Sequence, residues 1–129
     1  MKLRIALCLL FVAGCRNSTE PDQVLTGNWS GTFSTTSPPG PSEAWTATLT
    51  QSGSALSGSF DCASTEPYTV TGTNVHNAVK LTLIGGFGDT ATFNGSASNN
   101  GGVLATGTFF DKSDAVCLSG SGIWQGRIQ

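Results

Sequence analysis

The sequence predicts an all-β protein, an eight-stranded antiparallel up-and-down barrel, with a two-sheet β-sandwich as the alternative arrangement of the same strands. Three observations predict it. From Leu25 onward apolar and hydroxylated residues alternate with period two, as strands with one buried face require. Gly, Asn, Ser and Pro punctuate that pattern at short intervals, and the chain holds 17 Gly with only 11% charged residues. No stretch shows the 3.6-residue apolar spacing of an amphipathic helix. A meander of eight strands that buries one face closes most simply on itself, which also removes its edges.

The strands fall in order at about 27–34, 44–52, 55–61, 68–75, 78–85, 89–98, 103–111 and 122–128. In the first, Trp29, Gly31 and Phe33 share a face opposite Ser30 and Thr32. In the second, Trp45, Ala47 and Leu49 alternate with Thr46, Thr48 and Thr50. Leu56, Gly58 and Phe60, then Tyr68, Val70 and Gly72, continue the rule in the third and fourth. Glycines inside strands mark the bends that a small barrel needs for closure. Ser52-Gly53-Ser54, His76-Asn77 and Asn99-Asn100-Gly101-Gly102 read as tight hairpins. Thr35–Glu43, Cys62–Pro67 and Lys112–Ser121 read as long loops, and in a meander these gather at the opposite end.

That long-loop end collects the chemistry. Its rim is expected to carry Glu43, Asp61, Glu66, Asp89, Asp111 and Asp114, with Lys112 against them. Just below it the strand ends place an aromatic tier, Phe33, Trp45, Phe60, Tyr68, Phe109 and Trp124, as the candidate ligand-binding residues. A barrel of this size is either filled by its own side chains or holds one small ligand. Two functions follow. In one, the barrel binds a small apolar or aromatic ligand at its open end. In the other, it is a filled scaffold whose acidic loops bind a protein, a basic one by charge complementarity.

Ahead of the strands lies a cationic start, Met1-Lys2-Leu3-Arg4, and an apolar run from Ile5 to Ala13. This is the anatomy of a signal peptide and is too short for the ~20 residues of a membrane span. Val12-Ala13-Gly14-Cys15 resembles the bacterial lipobox. The resemblance implies a signal peptide over 1–14, a lipidated Cys15 and a membrane partner through that anchor. A polar tether then occupies 15–24 and the barrel domain 25–129. The location implied is the cell envelope, with the outer membrane or cell surface favoured by Arg16 at the position after the cysteine. Several acyl chains at ~0.8 kcal/mol per buried CH₂ make a firm anchor.

Loss of Lys2 and Arg4 leaves four basic residues against eight acidic, a net charge of −4. No basic face exists for phosphates, so nucleic acid is not a partner. Cys62 and Cys117 are the cysteines left over, and in an oxidising compartment they are expected to pair, with two free buried thiols as the alternative. His76 is the only histidine and sits in a turn, so neither a catalytic triad nor a metal set can be assembled. No enzyme activity, cofactor or metal is expected.

Gly27-Asn28-Trp29 at the first strand and Arg127 near the end of the last resemble the calycin superfamily of lipocalins, fatty-acid-binding proteins, avidins and barrel-shaped protease inhibitors. The resemblance implies that Trp29 closes the barrel base with Arg127 packed across it. The rhythm of Leu25–Trp29 and Leu56–Phe60 is similar to avidins, but Phe60 stands where an avidin places a ligand-binding Tyr. Biotin binding is therefore not implied.

Overall fold

The computed structural model describes residues 21–37, 39–62, 67–86, 88–111 and 120–129. Eight strands follow one another: β1 (Gly27–Ser37), β2 (Pro39–Ser52), β3 (Ala55–Asp61), β4 (Tyr68–Val75), β5 (Ala78–Ile84), β6 (Thr90–Asn99), β7 (Val103–Asp111) and β8 (Gly120–Ile128). Each pairs antiparallel with the next, and β8 returns to β1, so the sheet is a closed up-and-down barrel. Carried around all eight ladders, the register returns to β1 ten residues beyond its start. With ordinary strand spacings that stagger tilts the strands by about 40° to the barrel axis.

The period-two pattern is what closes it. Side chains of one parity, among them Trp29, Phe33, Leu49, Leu56, Val70, Leu83 and Phe93, are buried in a single core. Hydroxylated residues of the other parity form the outer wall, as the alternating burial along β4 illustrates. The β4–β5 turn is a two-residue loop in which His76 and Asn77 both have positive φ, 50° and 69°. That is the geometry whose twist matches a hairpin, and Asn tolerates it well.

At the top of the barrel the structure corrects one expectation. The segment read as a long loop, Thr35–Glu43, is strand at every described residue: β1 runs on to Ser37 and β2 begins at Pro39. Pro39 and Pro41 are tolerated in β2 because β3 ends at Asp61, opposite Thr46, so neither has a β3 ladder to interrupt. Between the pairs Ser34↔Ser42 and Thr36↔Pro39 the β2 side carries one extra residue. Between Thr35↔Gly122 and Ser37↔Ser121 the extra residue lies on β1. These bulges bend the hairpin that extends beyond the end of β3.

At the base, the polar segment before β1 is fixed to the barrel from Pro21 onward. The Gln23 amide donates to Asn77 Oδ1 at 2.7 Å, and Asn74 Nδ2 donates to the Gln23 carbonyl at 2.8 Å. The Leu25 amide donates to Gln51 Oε1 at 2.9 Å, and Leu25 itself is buried as the bottom plug. Asn74 is 5% exposed, so replacing it by alanine leaves the Gln23 carbonyl without this donor inside the base. The expected cost of Asn74→Ala is about 1–3 kcal/mol. Hydrogen exchange should show the Gln23 and Leu25 amides losing protection before the strands do.

Candidate functional site

The aromatic tier is brought together, but as core. Phe33, Trp45, Phe60, Tyr68, Phe109 and Trp124 are all buried, none more than 5% exposed. Trp45 stacks on Phe60 with ring centres 5.2 Å apart, and Phe60 meets Tyr68 edge-on at 6.2 Å. Trp45 meets Trp124 edge-on at 6.4 Å, and Phe33 meets Phe109 at 5.6 Å. The hub is a residue the sequence pattern did not single out: Phe93 on β6 lies 5.5 Å from each of Phe60, Phe109 and Trp124. Its place in the alternation Ala91-Phe93-Gly95-Ala97 marked it as inward-facing. Nothing in that alternation marked its height in the barrel.

The rings seat on inward glycines. A methyl group at Gly126 would lie 2.4 Å from Trp45 Cη2, and one at Gly95 would lie 2.8 Å from Trp124 Cζ2. Glycine thus gives the indoles the space against the wall that a ligand would otherwise have used. What remains is an apolar void of about 20 Å³, lined by Trp29, Trp45, Phe60, Phe93, Trp124 and the aliphatic residues of the lower core. A space of roughly 10–15 Å³ holds a single water on this measure, so the void is of about one water's size and leaves no room for an organic ligand. The Trp124 indole donates to the Thr108 carbonyl at 3.0 Å and that of Trp29 to the Leu25 carbonyl at 2.9 Å. The Trp45 indole nitrogen is buried without a hydrogen-bond partner.

Above the rings the acidic rim is only partly a rim. Glu43 and Asp61 are exposed, Asp89 is half-buried, and Asp111 is buried at 3% exposure because it shares the inward parity of Phe109. Glu66, Lys112 and Asp114 lie outside the described residues. Tyr68, the only tyrosine, sits among these carboxylates. Burial first, then the charges of Asp111 and Asp89, raise its phenol above the ordinary 10.0. The unfolded chain therefore loses this proton before the folded one, and stability falls as pH rises from about 10 through the folded value. The absorbance titration of native protein should show phenolate forming above the ordinary value, and Asp111→Asn should lower that midpoint.

Cys62 is buried and disulfide-bonded. Cys117, its expected partner, lies outside the described residues, as do the signal segment and Cys15. Among the described residues no group of three His, Cys, Asp or Glu side chains is placed to hold a metal.

Trp29 and Arg127 both lie at the base, but not against each other. Trp29 faces the core at 3% exposure, whereas Arg127 points outward and its Nη1 donates to the Gly101 carbonyl at 3.2 Å. The expected packing of the Arg across the Trp is replaced by Leu25, whose backbone carbonyl holds the Trp29 indole. Period two accounts for this: Arg127 is three residues from the inward Trp124, an odd offset that places it on the other face.

No family model matches the chain, and no curated protein or solved structure matches it.

Proposed function

We propose that this is a lipid-anchored envelope protein in which a filled, calycin-like barrel serves as a rigid scaffold and its open end binds a protein partner. The observation that carries the choice is the interior void of about 20 Å³, which favours a scaffold over a carrier of small apolar ligands. The open end offers what a scaffold needs. The β1–β2 hairpin extends beyond β3, its β2 arm carries Pro39 and Pro41, and exposed Glu43 and Asp61 stand beside it. The prolines on β2 and the bulges on both strands hold that hairpin in one shape, which lowers the ordering cost of binding. The two carboxylates suit a partner with a basic contact surface and would speed encounter at low salt.

Site-specific photo-crosslinking in the native envelope tests this. A crosslinker at Ser42, on the hairpin, is expected to give one discrete protein adduct that weakens with added salt. The same group at Thr50, on the lower wall, is expected to give none. Adducts from neither position, or the same adducts from both, would contradict the reading.

A further inference from the structure

The described charges are sorted along the barrel axis. Both cationic side chains, Lys80 and Arg127, lie in the base half, Lys80 two residues above the His76-Asn77 turn and Arg127 against the Asn100-Gly101 turn. Of the five described carboxylates, Glu43, Asp61, Asp89 and Asp111 lie at the opposite end. The fifth, Asp22, is at the base, 3.3 Å from His76 Nδ1. Two large apolar side chains also stand out at the base: Val24 is 63% exposed and Val75 is 49% exposed. They follow directly on Gln23 and Asn74, which are hydrogen-bonded to each other, so both valines stand at the base of the barrel. Among the described residues, the base turns carry no further acidic group.

We propose that the base is a membrane-facing surface that rests on anionic lipid headgroups, with Val24 and Val75 at the interface and Lys80 and Arg127 around it. The proposal rests on the anchor reading for one thing only, the nearness of the bilayer. Cys15 stands six residues before Pro21, which is fixed to the base through Asn77 Nδ2 at 3.0 Å, so the reach from anchor to barrel is at most about 20 Å. That tether is short enough for the base to rest on the bilayer. A Lys or Arg brought within the ~8 Å screening length contributes at an anionic surface, its aliphatic stem letting the charge extend toward the headgroups. The acidic end is roughly 18 Å further out, beyond the ~8 Å screening length, so among the described carboxylates only Asp22, beside His76, opposes contact at the base. The outcome is a fixed orientation, with the open end presented away from the membrane.

The test uses the mature chain from Arg16 with an N-terminal hexahistidine tag in place of Cys15, held on vesicles by a nickel-chelating lipid. It therefore does not depend on acylation in the cell, which mass spectrometry of the Cys15 peptide from native envelope decides separately. An environment-sensitive fluorophore is attached at Val75→Cys and, in a second protein, at Glu43→Cys. On vesicles of equal parts phosphatidylglycerol and phosphatidylcholine the label at 75 is expected to shift to the blue and to be quenched by a lipid-borne quencher. The label at 43 is expected to do neither. Lys80→Gln, an exposed change that leaves the fold intact, should reduce the contact about fivefold. Identical behaviour of the two labels, or the same response on pure phosphatidylcholine, would overturn the proposal.

Discussion

Gly31→Ala is expected to leave no folded barrel, or one destabilised by ~4 kcal/mol or more, the range reserved for core disruption. The reason is contact on two sides at once. A methyl group there would lie 1.9 Å from the Gln125 carbonyl oxygen and 2.7 Å from the Gly126 Cα, both on β8 backbone. It would also lie 2.7 Å from Trp45 Cζ2. Rotating Trp45 away would relieve only the last of these and would break its stack on Phe60. Moving the backbone instead would open the β1–β8 ladder, the seam on which closure depends. Gly53→Ala is the matched control. Its methyl meets nothing within 4 Å, and only the positive φ of 64° opposes it, at a cost of about 1–2 kcal/mol. Urea denaturation followed by tryptophan fluorescence measures both.

Phe93→Ala is expected to cost about 3–5 kcal/mol and to open a cavity large enough for a small aromatic molecule. Removing the hub ring takes away contacts to Phe60, Phe109 and Trp124 together and joins the vacated space to the void beneath it. Cavities lined by such residues stay dry and accept small aromatic molecules. The variant should therefore bind benzene-sized compounds, with a rise in its unfolding temperature as they are added. A variant that lost stability but gained no ligand would mean that the barrel collapses into the gap.

The barrel was legible in the sequence because parity is a local signal. Every inward position from Trp29 to Trp124 follows from alternation alone, and β3, β4 and β7 have the bounds that turn residues implied. Where the sequence misled, the cause was a non-local partner. Thr35–Glu43 reads as a loop, yet whether the prolines within it break a strand depends on where β3 ends. The docking of Gln23 and Leu25 depends on Asn74, Asn77 and Gln51, which are 26 to 54 residues away in the chain. The aromatic tier was placed correctly on its face, but whether it lines a pocket or fills it depends on the stagger of the barrel. That stagger sets which rings share a level, and the glycines set how close those rings sit to the wall. The outward direction of Arg127, by contrast, was available from its odd spacing to Trp124.

The central claim is that the interior is occupied by the protein's own side chains and that recognition lies on its outside. A titration of the mature domain with an environment-sensitive apolar probe, followed by tryptophan fluorescence, tests it most directly. Trp29, Trp45 and Trp124 are all buried in the core, so any molecule that entered would be reported. The account predicts no saturable binding and unchanged tryptophan emission in the native protein. Saturable, near-stoichiometric binding that quenches the tryptophans would contradict it and would restore the small-ligand carrier.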